Sequence, residues 1–200
     1  ISVVMALQPR SVLDIGVGFG KYGVLLREYL EVWGKTSGYG KFSVRLDGIE
    51  VFPEYVTPLH KFIYSHLYTG DARKVVARLK ERDDLALFID VLEHFTLREG
   101  EDFLRMLLTK ADGVLVSTPK YPGDQHAAFG NIHETHRSRW TAEMLSRFGA
   151  TLVLPDRESL IVYIGTPAAV GGLRRALTRE RLRRFALPIL PLLRRIIRRR

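Results

Sequence analysis

The 200 residues contain no cysteine, three methionines and two tryptophans. Without cysteine there is no disulfide framework, no thiolate zinc site and no cysteine nucleophile. This usage fits a cytoplasmic setting, the expected location. Long hydrophobic runs are missing too. The apolar run ALPILPLL (186–193) near the C-terminus has eight residues and two prolines, far below the about 20 needed to span a bilayer. The opening ISVVMALQPR has no basic segment followed by a long apolar one, so no signal peptide is expected. Internal repeats are absent, and the length suits one core.

Charge is plentiful but confined. The formal net charge is +9, yet residues 170–200 alone hold eleven arginines and one glutamate, leaving the rest near neutrality at −1. The chain therefore divides into a body, 1–169, and a basic amphipathic C-terminal tail, 170–200. Within the tail, Leu173, Leu177 and Leu182 alternate with arginines. This pattern predicts an interfacial segment over 173–200 that meets anionic lipid, placing the protein at the inner membrane face. A disordered basic tail and an arginine-rich arm tracking nucleic-acid phosphates are the alternatives. Phe185 is the tail's one aromatic residue, which counts against base stacking.

Short strand-like runs alternate with helical ones, the signature of a parallel α/β sheet. Strands are predicted at 11–15, 43–49, 65–70, 85–91 and 113–119, with helices at 22–30, from Pro53, and at 72–80, 98–110 and 141–148. A glycine-rich loop, 34–41, follows the first of these helices. The runs 151–155 and 159–165 are only three residues apart, too close for a crossover helix, and so must form an antiparallel hairpin. The expectation is an α/β fold, a Rossmann-like three-layer sandwich whose seven-stranded, mostly parallel sheet ends in an antiparallel strand. Residues 119–140 are polar and long for a connection, as functional loops often are.

The stretch SVLDIGVGFGKYG (11–23) joins a strand to four glycines. Glycine turns sharply at positive φ and lets a ligand approach the backbone. One frame, Gly18-x-Gly20-x-x-Gly23, satisfies the dinucleotide fingerprint. The other, Gly16-x-Gly18-x-Gly20, starts directly after the strand and also accounts for Asp14. An anion there would repel a pyrophosphate but attract an ammonium or sulfonium, which favours a cationic ligand.

The ordered set formed by D-x-G-x-G-x-G, an acid ending strand two at Glu50, Gly70-Asp71-Ala72 after strand three, Asp90-Val91-Leu92-Glu93-His94 after strand four and the terminal hairpin resembles the class I S-adenosylmethionine-dependent methyltransferases. The likeness spans residues 11–165 and is nearest to small-molecule members with an L-E-H turn after strand four. It implies S-adenosylmethionine as cofactor, with Asp14 facing the methionine ammonium and Gly16, Gly18 and Gly20 lying against the methionine and ribose portions. Glu50 would take the ribose hydroxyls, Asp71 and Ala72 the adenine edge, while Asp90 to His94 would form the floor between cofactor and substrate, with Asp90 and Val91 binding the cofactor. His94 is a candidate general base, with His133 and His136 as further catalytic candidates. The His133-Glu-Thr-His136 pair is a weak metal signal beside an H-E-x-x-H helix, and no metal is expected.

The implied reaction is methyl transfer to an oxygen of a small-molecule acceptor such as a sugar, glycan or lipid-linked metabolite. An RNA methyltransferase using the tail is the alternative within the fold, although it lacks an N-P-P-Y-type motif. A nicotinamide-dependent oxidoreductase using the Gly18 frame, or a non-catalytic binding module, would be alternatives of another class.

Overall fold

A computed structural model describes residues 1–32 and 41–186. The glycine-rich loop, except Lys41, and the last fourteen residues of the basic tail lie outside the described residues.

Strands β1 (Ser11–Ile15), β2 (Arg45–Glu50), β3 (His66–Thr69), β4 (Leu85–Ile89), β5 (Gly113–Pro119), β6 (Ala150–Leu154) and β7 (Ser159–Gly165) form one sheet. Their order is β3-β2-β1-β4-β5-β7-β6. β7 is inserted between β5 and β6 and runs antiparallel to both, whereas the other pairs are parallel. All five residues of β4, LALFI, are buried, as its unbroken apolar run demands of a central strand covered on both faces.

Successive strand residues point to opposite faces, and the core divides accordingly. Leu13, Phe88 and Val116 pack on one side with Phe103, Leu104 and Leu107 of α5 (Leu97–Lys110). Val12, Leu87 and Leu115 pack on the other with Leu26 of α2 (Lys21–Arg27). On that second side an unpredicted helix, α1 (Ser2–Leu7), adds Val3 and Val4.

Several boundaries differ from the sequence reading. β4 stops at Ile89 rather than Val91, because Asp90 has φ 53° and leaves the strand. Pro53 opens only a single 3-10 turn, Pro53–Tyr55, and the crossover helix α3 (Pro58–Ile63) begins at the next proline. α2 passes into a π-helical turn, Glu28–Val32. The remaining crossover helices, α4 (Ala72–Arg78) and α6 (Ala142–Ser146), occupy the predicted stretches. Thr141 caps α6 by accepting from the Met144 N–H.

The boundary at 169/170 falls inside α7 (Pro167–Ala186). Val170 and Leu173 are buried, and Leu177 packs against the same cluster. Leu173 and Leu177 are therefore committed to the core and not to lipid; Leu182 is exposed. No described helix is long and apolar enough to cross a membrane.

Gly100 in α5 shows how tightly one face is packed. A Cβ there would sit 2.5 Å from Trp140 Cζ2, and Trp140 is buried with its Nε1–H donating to Ser138 Oγ at 2.8 Å. Gly100→Ala is expected to lower stability by about 1–3 kcal/mol through overpacking, despite alanine's better helix propensity. Gly172→Ala in α7, where a Cβ meets nothing within 4 Å, should instead gain up to about 1 kcal/mol. Urea unfolding of both variants checks this, and equal signs would contradict it.

Candidate active site

The chain leaves β1 through three glycines at positive φ: Gly16 at 72°, Gly18 at 51° and Gly20 at 82°. The N–H groups of Gly16 and Val17 both donate to Ile49 O, tying the loop to β2. A Cβ on Gly16 would overlap Val91 Cγ2, whereas one on Gly18 would meet nothing within 4 Å. The first glycine is thus locked against the floor after β4, and the second borders open space. Gly23 lies within α2 without positive φ, close against the Tyr64 hydroxyl. The turning is done by the Gly16-x-Gly18-x-Gly20 frame, while Gly23 allows close helix packing.

His60, fully buried, braces the loop and was not anticipated. Its Nδ1 accepts from the Thr57 N–H at 3.1 Å, so the proton sits on Nε2, which donates to Gly18 O at 2.9 Å. No sequence motif marks this residue, because its role depends on α3 lying beside the loop.

A cavity of about 480 Å³ opens where the strand order reverses between β1 and β4, at the carboxyl ends of β1 to β4, the usual ligand position in open α/β sheets. A larger recess of about 640 Å³ lies against edge strand β3 and the end of α4, but none of the predicted site residues line it. Gly16, Gly18, Glu50, Asp71, Ala72, Asp90, Val91, His94 and His133 line the first cavity; Asp14, Gly20 and His136 do not.

Glu50 is buried; its Oε2 accepts the Gly18 N–H and its Oε1 the Phe52 N–H, both at 2.9 Å, and the Val51 N–H also faces the carboxylate. With three N–H donors on a carboxylate that offers about four acceptor positions, capacity is left for a ligand. Burial raises its pKa against these hydrogen bonds. Asp71 caps α4 through the Arg73 N–H and holds the Arg73 guanidinium at 2.8 Å. With Arg73 Nε also donating, at 3.1 Å, one of its four acceptor positions is left. Arg73 in turn reaches Glu99 at 2.9 Å and stands over the Phe95 ring.

Asp14 lies behind the loop, accepting from the Tyr64 hydroxyl at 2.6 Å. Burial pushes its pKa up to about 7; the Tyr64 hydrogen bond opposes the rise and the Glu50 charge adds to it.

The long segment after β5 folds onto the cavity because the Arg137 and Ser138 N–H groups donate to Glu93 O, at 2.8 and 3.1 Å, in the turn Leu92–His94. This brings the His136 ring to 5.4 Å from that of His94. His133 stands apart on an exposed turn over Ile132–Glu134. Burial lowers the His94 pKa, keeping the imidazole neutral, and pushes Glu93 up to about 7. Phe19, Phe129 and Ile132, all exposed, form an apolar lip at the cavity mouth. Phe19 packs on Tyr55 at 5.1 Å and on Phe129 at 6.1 Å.

No family model and no curated protein matches the chain. Solved structures do. The N-terminal domain of EvdMO1, determined in the presence of SAH and D-fucose, is 16% identical with a TM-score of 0.55, the alignment covering 78% of this chain and 76% of that one. An O-methyltransferase family protein from Burkholderia thailandensis is 13% identical, with a TM-score of 0.57 over 81% of this chain, which spans 52% of that protein. The methyltransferase domain of bacterial CtHen1 is 20% identical, with a TM-score of 0.52, covering 82% of this chain and 93% of that one. The inserted antiparallel β7 separates this sheet from the usual dinucleotide-binding order 3-2-1-4-5-6, and the chain has the fold of the class I S-adenosylmethionine-dependent methyltransferases.

Proposed function

We propose that the protein is an S-adenosylmethionine-dependent methyltransferase acting on an oxygen of a small molecule. The observation that carries this reading is the cradle at the switch point. The open backbone at Gly18 and the spare acceptor capacity of Glu50 meet in one cavity, and Glu50 suits a pair of ribose hydroxyls. Asp71 and the Ala72 N–H suit an adenine edge, and Asp90 and Val91 form the floor. Asp14 contributes its charge from behind the loop toward the ligand's cationic end.

When bound, the sulfonium supplies an activated methyl group, so the protein's tasks are alignment, exclusion of water and care of the acceptor's proton. Neutral His94 offers Nε2 for that proton, since its Nδ1–H donates to Thr135 O at 3.2 Å. A sugar, glycan or lipid-linked acceptor fits a cavity with acids and histidines inside and an apolar lip outside, and one structural neighbour was determined with D-fucose present. A cytoplasmic protein touching the inner membrane face would do so with tail residues beyond Leu177.

Isothermal titration tests the reading. S-adenosylmethionine and S-adenosylhomocysteine should bind the purified chain, and Glu50→Ala should weaken both at least tenfold, about 1.4 kcal/mol, while thermal unfolding stays cooperative. Binding of NADH in place of the adenosyl ligands would overturn it in favour of an oxidoreductase.

A further inference from the structure

Two histidines and one glutamate that the sequence does not present as a set converge beside the cavity. One donor atom from each of Glu93, His94 and His136 lies within 4.8 Å of the others. The hydrogen bonds around them prepare both rings in the same way. His94 Nδ1–H donates to Thr135 O at 3.2 Å and His136 Nδ1–H donates to Gly123 O at 2.9 Å. A carbonyl can only accept, so Nδ1 of each ring carries a proton and Nε2 is the atom that can offer a lone pair to a metal. Backbone carbonyls orient metal-ligating histidines in this manner. Among the described residues no N–H or O–H donates to either Nε2; the Asp90 carbonyl and the Glu134 carboxylate beside the His94 ring are acceptors.

The third member supplies an independent observation. Glu93 is 1% exposed and its Oε2 has no hydrogen-bond partner. The Glu93 N–H and the Thr118 hydroxyl stand near the carboxylate and favour its charged form, yet among the described residues neither satisfies Oε2. A buried carboxylate oxygen without a donor is costly unless a cation or donor joins it. The charges around the set are negative: Asp90 and Glu134 both act on Glu93, and Glu134 Oε2 stands 3.9 Å from His94 Nε2.

We propose that Glu93, His94 and His136 bind a divalent first-row transition ion, with open positions facing the cavity. The two-imidazole, one-carboxylate set suits such an ion better than magnesium or calcium, which prefer all-oxygen shells. Ligand atoms around a zinc-sized ion stand about 3.3 Å apart, so closing the set takes side-chain shifts of about 1 Å.

The ion's task rests on the methyl-transfer reading. It would hold the acceptor hydroxyl and lower its pKa. In that form His94 is a ligand rather than the base, and the hydroxyl proton passes to Glu134 or to water. The acceptor oxygen then forms the new bond to the methyl carbon as the carbon–sulfur bond breaks, its electron pair staying on sulfur as a thioether.

The test separates the ion from the cofactor. The chelator-stripped 200-residue chain is titrated with Co²⁺, followed by visible absorption, and with Zn²⁺, followed by calorimetry; S-adenosylhomocysteine binding is measured in parallel. One equivalent of metal should bind. His136→Ala and Glu93→Gln should each weaken Zn²⁺ at least tenfold, while His126→Ala, at an exposed position outside the set, leaves it unchanged. His136→Ala, partly exposed and outside the cavity lining, should retain S-adenosylhomocysteine binding. Absence of metal binding, or undiminished binding by His136→Ala, would overturn the site even if the adenosyl ligand binds. Metal bound through these residues without adenosyl-ligand binding would keep the site and remove the methyl-transfer reading.

Discussion

Gly16→Ala is expected to reduce S-adenosylhomocysteine affinity at least a hundredfold and to destabilise the protein itself. Two effects combine at this one carbon. The backbone stands at φ 72°, where a side chain costs about 1–2 kcal/mol. The added Cβ also overlaps Val91 Cγ2, and overpacking of this kind costs about 1–3 kcal/mol. Val91 is β-branched and stiff about χ1, so the loop must move instead, and Gly18 moves with it. Because Gly18 N–H donates to Glu50 Oε2, a shifted loop also releases the carboxylate proposed to hold the ribose. Thermal unfolding without ligand and calorimetry with it measure the two parts separately. Adding Val91→Ala should restore the packing share of stability while the φ penalty remains. A single variant with wild-type stability and affinity would show that the loop does not cradle the ligand.

Asp14→Asn should change the pH dependence of both stability and binding. An ordinary aspartate titrates near 3.8, and burial raises Asp14 to about 7 in the fold. Below pH 4 the group is protonated folded and unfolded alike, and it imposes no penalty. As pH rises toward 7 the unfolded chain ionises while the folded one holds its proton, so stability falls; above 7 both are ionised and the loss levels off. Three pKa units correspond to about 4 kcal/mol. The stability difference between Asp14→Asn and wild type should therefore grow by up to that amount across pH 4–7 and stay flat beyond it.

Binding should move the other way. The ligand's ammonium favours ionised Asp14, so wild-type affinity for S-adenosylhomocysteine is expected to rise about tenfold from pH 6 to pH 8. In the asparagine variant it should be flat over that range. Guanidinium melts and titrations at matched pH values decide the matter, and parallel profiles for the two proteins would remove Asp14 from cofactor recognition.

The elements that carry strong local signals stand where the sequence puts them. β1, β5 and β7 match their predicted limits, and β4 reveals its central position by being apolar throughout. The three-residue gap before β7 forces a hairpin whatever surrounds it, and the glycine run has few other ways to leave a strand. Boundaries set by single backbone angles were not legible: Asp90 ends β4 by a positive φ that aspartate adopts only in context. α1 was missed because its six residues are too short for a periodicity to show.

The amino-acid sequence alone determines the α/β alternation, the closing hairpin, the absence of cysteine chemistry and the glycine frame with Glu50 and Asp71 at strand ends. These follow from local rules of burial period, turn conformation and chain length. Tertiary structure decides which distant side chains meet. His60 reaches Gly18 O only because α3 lies beside the loop, and Leu173 and Leu177 serve the core because α7 packs on the sheet. His136, not its motif partner His133, joins Glu93 and His94, because two backbone N–H groups fasten the long segment to Glu93 O. Such meetings depend on the path of loops over the sheet, and hydrophobic period and local turn rules, which act over a few residues, carry no record of it.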